Sequence, residues 1–414
     1  MDDTAVDTIA YDDSIAGVDS FADHARRRAE TEREAVEWAI DELESIVDEQ
    51  GVDLEPLLEY ARRSRESLPD RHRRAYEAMA DVFDVDPDVY EAYVFAYSEL
   101  CEELADGEGR SEKNPLGAGT ATGTGEGCTN ALVAPSRVDP ESTTDAGPST
   151  ATGGPLVLKN RDIAGRGARP KSIVEQPPID DYHGILTIDT CGTVSMFKGV
   201  NDQGLVAANT YIDCEGEGAD VSPETQLRNG TVIRMLLEEC ATVDEAREFL
   251  ESRPTRRLMG QTLFLADDTD DVLLEVDPAT ERIFVDDEPV VTRTNHFVRS
   301  ESTEAESSTK RRRRALELLE DEDRLDRDDL WTIARDHANG PGDDSICRHP
   351  EPETDEPHAF GQLTTASTAV FEGGSPEIEV ATGNPCETDR TRCAFGDEVP
   401  TDLRTGQRWL DRLH

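Results

Sequence analysis

The chain has 414 residues, enough for one large domain or two to three average ones, and carries a formal net charge of −49. Such acidity argues against nucleic acid and anionic membranes as partners. No window approaches the roughly 18 consecutive apolar residues of a membrane-spanning helix. Disorder is the first reading of 36 % hydrophobic against 32 % charged residues, but apolar periodicity through most of the chain points to a folded protein. Five of the 42 basic residues are lysine (Lys113, Lys159, Lys171, Lys198, Lys310) and the rest arginine. That balance suits a very salty cytoplasm, where molar salt shortens the Debye length to roughly 3 Å and quiets repulsion between carboxylates. The stretch Met1 to Asp13 is acidic and lacks an apolar signal core. Eight cysteines are scattered without a compact framework, so reduced thiols in the cytoplasm are expected.

Residues 19 to 105 read as all helix. Helical spacing covers Phe21 to Val47, Leu54 to Ser67, Arg71 to Phe83, and an aromatic Tyr90 to Leu104 whose Tyr90, Tyr93, Phe95 and Tyr97 suit a core against the next domain. Residues 106 to 127, DGEGRSEKNPLGAGTATGTGEG, are Gly- and Thr-rich and read as a linker. From Cys128 the pattern turns to strand: CTNALVAPS, a long polar hairpin loop at 136–154, then GGPLVLKNRD. Further strands are expected at Gly184 to Asp189, Thr193 to Lys198 and Leu205 to Tyr211. Helices follow at Thr225 to Cys240 and Val243 to Ser252, the second with Thr242 and Glu245 at capping-box spacing. Strands at Gln261 to Ala266, Val272 to Val276, Arg282 to Val285 and Val290 to Thr294 come next. Helices at Arg311 to Leu319 and Arg327 to Asp336 precede strands at Leu363 to Phe371 and Glu377 to Thr382. The basic run Lys310 to Arg314 reads as a solvated, ion-paired helix face. Blocks of strands and helices indicate an α+β layered fold with antiparallel sheets.

Gly127-Cys128-Thr129 is by itself a weak tripeptide, since most cysteines are inert and buried. Its position at a linker-to-strand junction gives it meaning. A cut before Cys128 would place an α-amine, of ordinary pKa about 7.7–8.0, beside the thiol of the same residue, supplying nucleophile and base together. A preceding glycine tolerates the backbone strain that thiol attack on its own carbonyl requires. As to metals, Cys347, His349, Cys386 and Cys393 are the available zinc ligands. Cys-x-His…Cys-x6-Cys lacks the paired element of structural zinc, so neither metal nor cofactor is expected.

Cys128-Thr129 at a strand start, LVLKNRD, GVNDQGLVAANTY, TQLRNGTVIRMLLEECATVDEAREFLES, TRTNHF, SICRHP and GNPC, in this order, resemble the acyl-coenzyme A:6-aminopenicillanate acyltransferase family. That family is grouped as C45-type peptidases and is related to choloylglycine hydrolases and acid-ceramidase-like amidases. The resemblance spans roughly residues 95 to 390. It implies a four-layer αββα N-terminal-nucleophile hydrolase sandwich of two antiparallel sheets at 128–400. A helical N-terminal segment (1–105) and the linker (106–127) precede that sandwich, and a C-terminal tail (401–414) follows. It implies Cys128 as nucleophile and autoproteolytic site, Asp162 as the carboxylate holding the new α-amine, and Asn295 as an oxyanion donor. Asn209 lies within a residue of a second family asparagine. Arg161 either meets a substrate carboxylate or pairs with a nearby acid, and it is grouped with Asn209 and His296 as substrate-binding. Ile163 follows Asp162 where the family carries an aromatic, which bears on substrate specificity.

The expected activity is hydrolysis of a linear amide through a thioester acyl-enzyme, with the cleaved N-terminal chain remaining associated and a small amide or acyl-thioester as substrate. Transfer of the acyl group to an amine is the alternative, and a non-catalytic relative is the third reading. The charge predicts stability that rises with salt. Melting in dilute buffer and in molar KCl should differ by many degrees, and a flat profile would refute salt adaptation.

Overall fold

The computed structural model describes residues 8–9, 18–105, 126–140, 153–165, 169–213, 226–300, 306–349, 360 and 362–412. Most of the linker expected at 106–127, and the middle of the hairpin loop at 136–154, lie outside these. Strand β1 (Thr8–Ile9) is followed by five helices: α1 (Phe21–Gln50), α2 (Glu55–Glu66), α3 (Asp70–Ala80), α4 (Pro87–Phe95) and α5 (Tyr97–Ala105). Helix α1 starts where Ser20 Oγ accepts the Asp23 N–H at 3.1 Å. It stops at Gly51, whose φ of 65° is the left-handed cap that glycine adopts freely.

The sheets begin with β2 (Glu126–Val133), β3 (Leu156–Ala164), β4 (Lys171–Gln176), β5 (Ile185–Thr190), β6 (Lys198–Asn201) and β7 (Val206–Tyr211). Helices α6 (Asn229–Glu239) and α7 (Val243–Glu251) separate these from β8 (Gln261–Ala266), β9 (Asp271–Asp277), β10 (Arg282–Asp286) and β11 (Val290–Arg293). Then come α8 (Glu306–Glu320), α9 (Arg327–Ala334), β12 (Leu363–Glu372), β13 (Glu377–Thr382), β14 (Thr391–Ala394), β15 (Val399–Pro400), and the short helices α10 (Thr401–Thr405) and α11 (Gln407–Leu410).

Seven strands run in the order β10-β9-β8-β7-β6-β5-β4 and six in the order β11-β2-β3-β12-β13-β14. Every pairing within the two sheets is antiparallel. Their inner faces share a core that includes Leu132, Val157, Ile188, Val200, Phe264 and Phe371. The outer face of the seven-stranded sheet packs on α6 and α7 through residues such as Leu263, Leu265, Ile233 and Leu250. That of the six-stranded sheet packs on α8 and α9 through Ala131, Leu158, Ala315 and Trp331. This is the expected αββα layering.

The N-terminal helices share a core with Ile163, Ala164, Cys191 and Trp409, so they dock onto the sandwich near the end of β3. The tail residues Leu403 and Trp409 are buried in α10 and α11. The single helix read at Tyr90 to Leu104 is two, broken at Ala96 (φ −136°, ψ 29°). The break lets three tyrosine hydroxyls donate to loop and strand carbonyls: Tyr90 to Gly192 at 2.8 Å, Tyr93 to Cys191 at 2.8 Å and Tyr97 to Ala164 at 2.9 Å. The strand read at Thr193 to Lys198 is a loop up to Phe197. There the Phe197 N–H goes to Asp189 Oδ2 at 2.7 Å and the Met196 N–H to the Gly230 carbonyl at 3.1 Å, leaving neither for a ladder. Strand β4 escapes sequence reading because its polar Lys171, Ser172, Glu175 and Gln176 are all buried.

Two histidines lie under these helices. His24 Nε2 bonds the Glu175 carbonyl at 3.0 Å and His72 Nε2 bonds Glu238 at 2.8 Å. Burial lowers their pKa values from 6.5 to about 3 and about 4. Between those values and 6.5 the unfolded chain holds protons that the fold refuses, so stability is full above pH 6.5 and is lost as pH falls below it. In melts from pH 7 to 4, His24→Asn should flatten the loss by close to one proton relative to wild type. An unchanged slope would contradict the burial of a neutral imidazole.

Candidate active site

Strands β2 and β3 pair so that Gly127 faces Asp162, Cys128 faces Arg161 and Asn130 faces Lys159. Alternation along the strands sends Cys128, Asn130, Lys159 and Arg161 between the sheets, and Asp162 toward the helices. Lys159 reaches the Asn209 carbonyl on β7 and Arg161 reaches Asp189 on β5, both across the gap between sheets.

Cys128 is held at three atoms. Its N–H donates to Asn295 Oδ1 at 2.9 Å, and its Sγ lies 2.8 Å from Lys159 Nζ. Its carbonyl accepts from Arg311 Nη1 at 2.6 Å. Arg311 also donates to Thr129 Oγ1 at 3.0 Å and to Asn295 Oδ1 at 3.0 Å. Because a guanidinium only donates, the Asn295 oxygen must face it. The Asn295 amide nitrogen accordingly donates away from Cys128, to the Tyr211 carbonyl at 3.0 Å. In the uncut chain Asn295 therefore accepts from the Cys128 nitrogen, rather than offering its NH₂ to an oxyanion.

Asp162 is buried beside the bond before Cys128. Its Oδ1 accepts from Thr365 Oγ1 at 2.8 Å, while Arg348 Nη1 stands 3.6 Å from its Oδ2. Neither that Oδ2 nor that Nη1 has a hydrogen-bond partner among the described residues. A Cβ on residue 127 would lie 2.5 Å from Arg348 Nη1 and 3.1 Å from Asp162 Oδ2. Close approach, rather than conformation alone, thus makes glycine the residue that fits.

The surroundings are rich in basic side chains, although the chain is strongly acidic. Arg161 pairs with Asp189 at 2.6 Å and lies 3.5 Å above the Phe197 ring. Of its two sequence readings, the structure therefore shows pairing with a nearby acid. Lys171 donates to Thr190 Oγ1 at 2.6 Å and Lys198 to Ser367 Oγ at 2.9 Å. Burial brings Lys198 down to about 7, aided by the charges of Arg161 and Lys159 against the pull of Asp189 and Cys128. Burial likewise pushes Lys171 down. Asp189, which burial alone would raise, is lowered to about 2 by Arg161, Lys198 and Lys171.

Asn209 contributes its carbonyl, which accepts from Lys159 and from Asn130 Nδ2 at 3.0 Å, while its own amide nitrogen turns to Gln261 at 3.1 Å. His296 is buried with Nδ1 2.7 Å from Ser308 Oγ, beside Asn295, whose own N–H bonds the same oxygen at 2.8 Å. Sequence reading missed Lys159, Arg311 and Arg348. Arg311 was assigned to a solvated face; its neighbours Lys310 and Arg314 do form ion pairs with Asp344 and Asp336. Arg311 itself falls in phase with Ser308, Ala315 and Leu319 on the buried stripe of α8. That phase was the available signal. For Lys159 it was a rare lysine inside an apolar strand.

Residues 149–385, more than half of the chain, match the family described as acyl-coenzyme A:6-aminopenicillanic acid acyl-transferase. Asp162, Asn209 and Asn295 fall inside that stretch and Cys128 before it. No curated protein matches the chain. Among solved structures it is similar to penicillin V acylase from Agrobacterium tumefaciens, at 13 % identity, covering 65 % of this chain and 86 % of that one, with a TM-score of 0.41. It is similar to a variant of conjugated bile acid hydrolase from Clostridium perfringens, at 11 % identity over 65 % and 97 % of the two chains and a TM-score of 0.38. An N-acylethanolamine-hydrolyzing acid amidase ortholog of Caenorhabditis elegans gives 12 % identity, 60 % and 94 % coverage and a TM-score of 0.39.

Arg311→Met should strip the Cys128 carbonyl and the Asn295 oxygen of a charged donor. Charge-assisted bonds contribute about 1.5–3 kcal/mol each. Denaturant unfolding should show a loss of several kcal/mol, against little for Arg313→Met on the exposed face. Equal effects would contradict the buried role.

Proposed function

Because the chain belongs to the acyl-coenzyme A:6-aminopenicillanic acid acyl-transferase family, we propose that it is an autoproteolytic N-terminal cysteine hydrolase acting on a linear amide. The observation that carries this reading is the hold on Cys128 at nitrogen, sulfur and carbonyl by Asn295, Lys159 and Arg311, directly after Gly127.

In the first step Cys128 Sγ attacks the Gly127 carbonyl carbon. The C–S bond forms, the bond from that carbon to the Cys128 nitrogen breaks, and the thiol proton passes to the departing amine. Water then hydrolyses the thioester, freeing residues 1–127 with a new carboxylate and restoring the thiol. The N-terminal piece stays bound through the tyrosine contacts and the shared core. In the mature enzyme the Cys128 amine serves as base, held by Asn295 Oδ1 and by Asp162, whose Oδ2 has a vacant acceptor site among the described residues. Lys159 steadies the negative sulfur. The thiolate attacks a substrate amide, the leaving amine takes its proton from the α-ammonium, and water releases the acid. Arg161, locked on Asp189 and Phe197, acts by its charge. An amine in place of water would make the same acyl-enzyme a transferase. Hydrolysis is preferred because transfer would require an additional pocket for the amine acceptor. The abundance of carboxylates and arginines fits work in a salty medium.

Intact-mass measurement on protein purified in high salt tests this reading. Wild type should give two pieces, the larger starting at Cys128, and Cys128→Ala a single uncut chain. Lys159→Met should slow cutting by about 10²-fold, the loss typical of one electrostatic contact to developing charge. An uncut wild type, or cutting in Cys128→Ala, would sink autoproteolysis.

A further inference from the structure

Away from the nucleophile, on the far side of Arg348, four side chains converge. His337 follows α9, Cys347 and His349 flank Arg348, and Cys386 follows β13. Their donor atoms all lie within 4.8 Å of one another. The two histidine Nε2 atoms are 3.0 Å apart and the two sulfurs 3.6 Å apart. His349 Nε2 is 3.2 Å from Cys386 Sγ and 3.6 Å from Cys347 Sγ.

The two 3.6 Å spacings are those of the edges of a coordination tetrahedron, and the 3.0 and 3.2 Å spacings are a few tenths of an ångström shorter. Zinc bonds of about 2.3 Å to sulfur and about 2.0–2.1 Å to nitrogen put tetrahedral ligands roughly 3.3–3.8 Å apart. A disulfide would need the sulfurs about 2.05 Å apart. Two thiolates also neutralise a divalent cation at this partly buried position, where Cys347 is buried and Cys386 reaches the surface. We propose that His337, Cys347, His349 and Cys386 form a structural zinc site that fixes Arg348 beside the Gly127–Asp162 pair.

Outer contacts suit this role. His349 Nδ1 faces the Glu387 carboxylate at 3.6 Å, while its Nε2 faces the two sulfurs. Asn384 Nδ2 lies 3.8 Å from Cys347 Sγ, within range of an N–H donated to a bound thiolate, and donates to the Arg348 carbonyl at 2.5 Å. The Arg348 N–H reaches Thr365 Oγ1 at 2.9 Å, and that hydroxyl donates to Asp162. A short path of bonds thus links the four ligands to the residue facing Gly127. The ligand set differs from the one that sequence spacing offered: Cys393 is buried in β14, opposite Ile378 in the intersheet core, and His337 takes its place. All four ligands come from a closed, four-coordinate arrangement with no position left for substrate, so the site is structural.

The test is elemental analysis of the untagged full-length chain, with Cys386→Ser, His337→Ala and Cys393→Ser variants. Wild type and Cys393→Ser should carry one equivalent of zinc, while Cys386→Ser and His337→Ala lose it. Cobalt exchanged into wild type should give the intense visible bands of a tetrahedral thiolate site, absent in Cys386→Ser, and chelation should lower the melting temperature of wild type and Cys393→Ser but not of the two ligand variants. The proposal is overturned by zinc-free folded wild type that takes up no cobalt, by zinc retained at full stoichiometry in Cys386→Ser, or by a Cys347–Cys386 disulfide in the isolated protein. None of these readouts depends on cleavage at Cys128, so either idea can fail alone.

Discussion

The register between β2 and β3 is the constraint on which the site depends. It sets Gly127 against Asp162 and aims Cys128 at the gap between the sheets, where Lys159 waits. A slip of one residue would turn every side chain of β2 to the opposite face. Cys128 would then meet the helices instead of the lysine, and Asp162 would lose its glycine. The six-stranded sheet pins this register from both sides, since β11 pairs with β2 and β12 pairs with β3 over nine residue pairs. Asn295, just beyond β11, is delivered to the Cys128 nitrogen by the same pairing.

Charge supplies the second constraint. A chain of net charge −49 keeps Lys159, Arg161, Lys171 and Lys198 in its interior, with Asp189 among them. Burying cations is unfavourable unless each is partnered. Here hydroxyls, carbonyls, Asp189 and the sulfur of Cys128 are the partners. The acidic excess thus coexists with a buried cluster of basic side chains between the sheets. Arginine dominates wherever a planar, multiply bonded contact is made, as at Arg311 and Arg348. Lysine acts as a point charge, as at Lys159 between the Cys128 sulfur and the Asn209 carbonyl.

Much of this was legible in the sequence. Period-two and period-3.6 patterns located most strands and helices, and the layered α+β class followed from their order. Cys128 stood out because composition changes abruptly before it, and KNRD and TNHF supplied Asp162 and Asn295. What escaped reading depends on contacts between segments distant in the chain. β4 is a strand whose polar side chains are buried by neighbours, so its pattern carries no alternation. Arg311 hides in a run of basic residues, and only its phase with Ala315 and Leu319 marks it as inward. The break at Ala96 comes from tyrosine hydroxyls meeting carbonyls 67 to 102 residues away. His337 joins Cys347 and His349 only through the return of the chain after α9.

The central claim is that the Cys128 sulfur carries the acyl group. Incubating the protein with a slow activated acyl ester, then digesting with trypsin under mildly acidic conditions, tests it by peptide mass. The account predicts a peptide running from Cys128 to Arg137 that begins at the cysteine without a tryptic cut and carries the acyl mass on sulfur. An acyl group on another residue, or no peptide beginning at Cys128, would contradict it.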